Sequence, residues 1–259
     1  MTPRIEKAPH GFTLAVGFLT AIPLRHAAPR PGDLGRAGAW FPTVGLVLGV
    51  ALSLAYWLLG QVFAPALAAA LTVALWAALT GGLHLDGLAD CGDGLLAAVS
   101  PERRLEIMRD PRLGAFGGLS LVLFLIVKIL AVASLPAAEA WPSLFSISPL
   151  WLAPVVGRWL ILLAARQPSA RAGGLGQAFA DGLRPRSLLL AALLPIALAL
   201  LGGLRAGLAV GLAWVIALAI LRLARVRLGG VTGDVFGLVV ELAELTVLLT
   251  YAAAATSNP

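Results

Sequence analysis

The sequence predicts an all-α fold: a polytopic integral membrane helical bundle of about seven spanning or partly re-entrant helices, with an active site at its cytoplasmic face. Three observations carry this. The mean hydropathy of +0.93 lies beyond the range of ordinary soluble domains. Only 12% of the 259 residues are charged, and long apolar runs recur along the whole chain. The basic residues fall in short intervals between these runs rather than in one patch, so the formal net charge of +6 speaks for membrane topology and against a nucleic-acid partner. The single cysteine excludes an intrachain disulfide and leaves the redox compartment open. No linker or fixed-period repeat divides the chain, so 1–259 reads as one membrane-embedded domain with a cytoplasmic motif loop at 84–116.

Residues 1–10 are polar and basic. Residues 11–24 are apolar but too short to span, and they run into Pro23 rather than a small-residue cleavage site, which favours an interfacial or re-entrant segment over a signal peptide. Spanning candidates follow at 40–62, 65–83, 117–135, 144–165, 187–204, 206–223 and 235–255. With the N-terminus in the cytoplasm, basic residues gather before residue 40, at 103–112, at 166–186 and at 222–227, against Arg205 alone outside. This orientation predicts a multi-pass protein of the cell inner membrane with N-terminus and site cytoplasmic, the C-terminus outside, and 136–149 as an outer connection. Lys128 and Arg158 remain inside spans, where an unpaired charge is costly. Glu241 and Glu244, three residues apart on the last span, are the expected partners.

Charge concentrates from Gly81 to Gly118, GGLHLDGLADCGDGLLAAVSPERRLEIMRDPRLGAFGG. Asp86, Asp90 and Asp93 stand at i, i+4 and i+7, so a helix over Leu85 to Ala98 projects all three carboxylates from one face. Such a stripe needs a cation, and hard oxygen ligands suit Mg²⁺, commonly shared with substrate phosphates. The interleaved Gly81, Gly82, Gly87, Gly92 and Gly94 weaken an ordinary solvent-facing helix and permit a backbone or ligand to come close. Ser100 and Pro101 read as N-cap and first position of a short helix through Met108. Arg103, Arg104, Arg109 and Arg112 then lie near the acids, and a planar guanidinium grips phosphate, so the combination describes a diphosphate site. His84, two residues before Asp86, reads equally as a hydrogen-bonded core residue.

Two later loops add candidates. Leu228 to Gly237, with Gly229, Gly230, Thr232, Gly233 and Asp234 directly before a helix, offers backbone N–H groups to an anion. Asp234 is there either a cap or a fourth metal ligand arriving from a second direction. The loop 171–177, with Arg171, Gly173, Gly174 and Gly176, suits a phosphate or ribose.

The runs GGLHLDGLADCGDG and LEIMRDPRLGAFG closely resemble the two central motifs of the cobalamin synthase family, the adenosylcobinamide-GDP ribazoletransferases. FLTAIPLR (Phe18 to Arg25), WFPTVGLVLG (Trp40 to Gly49), ARAGGLGQAF (Ala170 to Phe179) and LGGVTGDVFG (Leu228 to Gly237) are similar to further family segments, in order and nearly end to end. Cys91 stands where a small polar residue is expected and Pro111 where serine is; neither change removes a ligand. The resemblance implies a Mg²⁺-dependent reaction of cobalamin nucleotide loop assembly. Adenosylcobinamide-GDP and α-ribazole, or its 5′-phosphate, would give adenosylcobalamin, or its 5′-phosphate, and GMP. It implies a catalytic set of His84, as base or phosphate contact, with Asp86, Asp90, Asp93, Arg109 and Asp110. Metal would fall to Asp86, Asp90, Asp93 and Asp234. Substrate would fall to Arg103, Arg104, Arg112, Arg171, Gly174, Thr232, Asp234 and Glu244. The bilayer is an implied partner, and a homo-oligomer or association with other cobalamin-assembly enzymes is compatible with the resemblance.

Two other readings compete. Asp90 to Ala97, DCGDGLLA, fits the opening D-x2-D-G-x2-A of lipid-synthesising CDP-alcohol phosphotransferases, but Ala98 replaces the arginine that should follow and the later G-x3-D-x3-D is absent. A transporter would explain the intramembrane charges, yet transporters place polar sites near the midplane between repeats, and here charge gathers outside the spans.

Overall fold

The computed structural model describes residues 11–24, 30–135, 147–171 and 173–255. Their regular structure is helical except for one isolated parallel bridge between Ser169 and Val231. A short α1 (Gly11–Leu19) is followed by α2 (Asp33–Ala37), which continues through a 3-10 turn at Gly38–Trp40 into α3 (Phe41–Gly60). Next come α4 (Pro65–Thr80), α5 (Leu83–Leu96), α6 (Pro101–Ile107) and α7 (Ala115–Ala133). The second half comprises α8 (Pro149–Ala164), α9 (Leu175–Ala180), α10 (Pro185–Leu201), α11 (Gly203–Leu228) and α12 (Gly233–Ala255).

The protein is therefore a polytopic helical membrane protein, whose apolar helices divide into full-length and shorter ones. Among the described residues four helical stretches are long and apolar enough to cross a bilayer, Asp33–Gly60, Ala115–Ala133, Gly203–Leu228 and Gly233–Ala253, and α4 with α5 passes the same test as a bent pair. The expected spans at 144–165 and 187–204 are apolar helices of 16 and 17 residues. At 1.5 Å per residue these reach about 24–26 Å, near the lower limit of what crosses a hydrocarbon core of roughly 30 Å. The candidate at 65–83 becomes α4, which turns by 94° into α5. Gly81 and Gly82 make that turn with φ of 63° and 70°, a left-handed conformation that side chains resist.

Helix α8 is the axis of the bundle. It packs against both α3 and α12, and apolar residues all around it are enclosed, including Leu150, Leu152, Val155, Leu160 and Leu162. On the periphery α7 and α11 expose Leu119, Leu123, Ile126, Leu208, Leu212 and Val215, as lipid-facing helices do. The motif loop at 84–116 is built from the two helices its spacing predicts, α5 and α6, joined by a turn. Leu88, Cys91 and Leu95 of α5 are buried, so this segment helps to build the core.

Inside the bundle the intramembrane charges neutralise one another as their spacing suggests. Lys128 Nζ on α7 lies 2.7 Å from both Glu241 Oε2 and Glu244 Oε2 on α12, and Arg158 of α8 pairs with Glu244. The Lys128 ammonium also sits 4.0 Å from the centre of the Trp76 ring of α4. Four helices are thereby tied at one level. Glu244, expected among the substrate contacts, has 0% exposure and both carboxylate oxygens engaged, so it is a structural counter-ion and not a ligand contact.

Replacing Glu244 by Gln removes the shared counter-ion of two buried cations and should destabilise the protein by about 3–5 kcal/mol. A thermal melt in detergent beside the wild type checks this; an unchanged transition would show that the cluster does not brace the bundle.

Candidate active site

The site is assembled where α5 crosses α12. A side chain added at Gly87 would press within 2.7 Å of the Asp234 carbonyl oxygen, and one at Gly237 within 2.8 Å of the His84 carbonyl oxygen. Glycine on both helices lets the two backbones meet, and the approach brings Asp86 and Asp234 to one cavity of about 200 Å³. His84, Arg171, Gly174 and Thr232 also line it. The strand-like clasp between 168–171 and 231 closes one side: Val231 N–H donates to the Pro168 carbonyl at 2.8 Å, and Ala170 N–H to the Val231 carbonyl at 2.9 Å. That clasp carries Arg171 to within 3.6 Å of Asp234. The buried Thr232 hydroxyl donates to Asp234 Oδ2 at 3.1 Å and fixes the carboxylate at the start of α12.

The acidic stripe does not act as a unit. Asp86 is exposed on the cavity rim. Asp90 is partly buried and feels the like charges of Asp234, Asp86 and Asp93 against the opposite charge of Arg171. Asp93 turns away, and its two oxygens accept the Gly114 and Gly117 N–H groups at 2.8 Å each. It thus caps α7, whose first N–H groups have no partner within the helix. This carboxylate, expected as a metal ligand, is placed against the α7 N-terminus, where it fills the space that side chains at 114 and 117 would take, and it does not line the Asp86–Asp234 cavity.

The arginines divide in the same way. Arg104, expected on phosphate, is buried and donates to the Gly94 and Leu95 carbonyls at 2.8 Å, closing the C-terminus of α5. Arg103 pairs with Glu106 at 2.7 Å, and Arg112 with Asp110 through bonds of 2.9 and 2.5 Å. The Arg112 guanidinium holds the Asp110 carboxyl down at about 2, so Asp110 is ionised at any physiological pH. These four residues and Asp93 line a separate, more open groove of about 380 Å³ beyond α5. Arg109 is exposed and lines neither recess. The catalytic roles expected of Arg109 and Asp110 therefore lie apart from the Asp86–Asp234 cavity.

His84 is 3% exposed, and its Nδ1 has no hydrogen-bond partner among the described residues. His84 lines the cavity, and a buried imidazole nitrogen without a partner calls for an explanation. The sequence reading missed Phe18, Ser169 and Phe236, which also line the cavity. Phe18 and Phe236 belong to one chain of ring contacts through Phe41 and Phe179, with centroid separations of 5.3–6.4 Å. Only tertiary structure joins these residues.

Among the described residues no group of three or more His, Cys, Asp or Glu side chains is arranged as a cage for a metal ion. The donor chemistry nonetheless fits Mg²⁺, which takes one or two carboxylates and completes its shell with water and substrate phosphate. Asp86 and Asp234 on the cavity, with Asp90 beside them, supply such oxygens and leave the remaining positions to a ligand.

Together these features define a polytopic helical membrane protein with an acidic, arginine-flanked cavity at the crossing of two helices. The cobalamin-5-phosphate synthase family model matches residues 11–252. The chain is 43% identical to the adenosylcobinamide-GDP ribazoletransferase of Ectopseudomonas mendocina (strain ymp), over 92% of this chain and 97% of that one. It is 44% identical to the protein of that name from Pseudomonas savastanoi pv. phaseolicola (strain 1448A / Race 6), over 93% and 98%. Identity to the one from Roseiflexus sp. (strain RS-1) is 38%, over 91% and 87%. No solved structure matches the chain. The chain belongs to the cobalamin-5-phosphate synthase family and is a transferase of cobalamin biosynthesis.

Asp93→Asn should lower stability by about 1–3 kcal/mol, because an amide cannot accept from both α7 N–H groups. Asp86→Asn, on the exposed rim, should stay within about 0.5 kcal/mol of the wild type. Melts of both variants in detergent test the division; equal losses would mean that Asp93 is no cap.

Proposed function

We propose that the protein joins adenosylcobinamide-GDP to α-ribazole, or to α-ribazole 5′-phosphate, releasing GMP and forming adenosylcobalamin or its 5′-phosphate. The observation that carries this reading is the meeting of Asp86 and Asp234 in one cavity beside Arg171 and His84, in a chain of this family. The ribazole hydroxyl oxygen attacks the cobinamide-side phosphorus of the diphosphate. A new P–O bond forms, the bond to the bridging oxygen breaks, and that oxygen leaves with GMP. The hydroxyl proton passes to a base, a role we assign to His84 Nδ1. Arg171 balances charge gathering on the leaving phosphate, and the Thr232 hydroxyl keeps Asp234 oriented. Mg²⁺, held by Asp86 and Asp234 with Asp90 adjacent, would supply electrostatic stabilisation of the diphosphate. Glycine at 174, which lines the cavity, leaves room for the nucleotide.

The phosphotransferase reading on lipids needs Asp90 and Asp93 to act as a pair, and the commitment of Asp93 to α7 disfavours it. For localisation we propose the inner membrane with the cavity facing the cytoplasm. Support comes from the arginines at the α11 C-terminal end, beside the Asp234 loop, against Arg205 at its start.

Purified protein in liposomes, given Mg²⁺, adenosylcobinamide-GDP and α-ribazole, should release GMP and a corrinoid product in a chromatographic assay. EDTA should abolish turnover, and Asp86→Asn and Asp234→Asn should each reduce it by at least about 100-fold. Product from CDP-diacylglycerol and a small alcohol, with none from the corrinoid mixture, would sink the assignment while leaving diphosphate chemistry standing.

Orientation has its own check. Glu139, at the expected outer connection, lies outside the described residues, so the exposed Gln61 between α3 and α4 serves instead. Cysteine at Ser100 should react with an impermeant maleimide only from the cytoplasmic side, and cysteine at Gln61 only from the opposite side. Reaction of both from one side would overturn the topology.

A further inference from the structure

At the C-terminal end of α11, Leu218, Leu221, Arg222, Arg225 and Val226 share one stripe and, with Gln167 from the end of α8, enclose a groove of about 580 Å³. Most of the other arginines near this end of the bundle are occupied. Arg227 donates to the Leu95 carbonyl at 2.9 Å, Arg104 to α5, and Arg103 and Arg112 to neighbouring carboxylates. The side chains of Arg222 and Arg225 have no hydrogen bond or ion pair among the described residues, and both line the one groove. Below them Leu218 and Leu221 give it an apolar floor.

Depth in the bilayer follows from the helix itself. Arg205 and Arg222 bracket the apolar stretch 206–221, and 17 residues at 1.5 Å give about 26 Å between them, close to the thickness of a hydrocarbon core. Arg222 and Arg225 therefore stand at the headgroup level on their side. A ligand there meets two guanidinium groups above and leucine side chains below, which is the order of polarity along a phospholipid. Two adjacent forks suit a phosphate oxygen pair better than a zwitterionic headgroup with its own ammonium.

We propose that this groove is a binding site for an anionic phospholipid, with the phosphate on Arg222 and Arg225 and the acyl chains along Leu218 and Leu221. The groove reaches Gln167, two residues before Ser169 of the active-site cavity, so a bound lipid abuts the 168–171 clasp that carries Arg171. The inference is independent of the substrate assigned above.

The test is native mass spectrometry of the detergent-purified full chain titrated with phosphatidylglycerol or phosphatidylcholine. Wild type should retain phosphatidylglycerol, and the double variant R222Q/R225Q should bind it roughly thirtyfold more weakly. R184Q/R186Q removes the same charge at the start of α10, outside the groove, and should bind like wild type. Thermal melts in phosphatidylcholine vesicles should coincide for all three proteins, both pairs being exposed. If R222Q/R225Q melts early, the single variants R222Q and R225Q carry the test, each expected to lose about fivefold. Equal losses from both arginine pairs would reduce the effect to diffuse surface charge and overturn the proposal. Equal retention of phosphatidylcholine would overturn it also. Displacement of the lipid by glycerol 3-phosphate or inorganic phosphate at matched concentration would make this a soluble-phosphate site instead.

Discussion

The backbone contact between α5 and α12 is the constraint on which the rest depends. Gly87 against Asp234 and Gly237 against His84 admit an approach that any side chain would block. Without it, Asp86 and Asp234, 148 positions apart in the sequence, would not share a cavity, and Arg171 would have no acid to face. The 94° turn at Gly81–Gly82 points α5 across its neighbours and makes the contact reachable. Conformational freedom at four glycines is thus converted into the position of two carboxylates.

A second constraint lies deeper in the bundle. The Lys128, Arg158, Glu241 and Glu244 cluster has two charges of each sign, all buried, and spans three helices with Trp76 of a fourth beside it. In an apolar surrounding, separating such charges is costly, so the relative height of α7, α8 and α12 is fixed. Because Glu241 follows Gly237 by one helical turn, the cluster and the α5 crossing share one segment of α12. Sliding α12 to relieve one would break the other.

Much of this was legible in the sequence. The helical class, the pairing of Lys128 and Arg158 with the two glutamates, and the Ser100 cap followed by Pro101 all follow from local spacing. The acids and glycines of 81–118 marked where the chain is unusual. Spacing could not tell which acids face a cavity. Asp93 belongs to the same stripe as Asp86 and is claimed by α7, a helix whose N-cap, Gly114, lies 21 residues later. Arg104 and Arg103 are adjacent in sequence, yet the first is buried on α5 carbonyls and the second is exposed beside Glu106. Partnership across helices decides such cases, and hydropathy carries no trace of it. Which of the seven apolar segments span fully and which only partly was not legible for another reason: a 16-residue apolar helix and a full span give the same signal until their ends are known.

The Leu95 carbonyl, which accepts from both Arg104 and Arg227, has a consequence for how this chain could be altered. One oxygen joins the end of α5 to the neighbouring α6 and to the last turn of α11, so two consecutive helices and a third far along the sequence meet on a common atom. Together with Asp93 on α7, it makes the acidic stretch a self-contained knot whose residues mostly hold each other. Transplanting residues 84–118 into another membrane scaffold would carry over the appearance of an active site and a folding unit, but not Asp234, Arg171 or the cavity they complete. In this chain the recognisable motif and the Asp86–Asp234 cavity overlap only at the motif's first few residues.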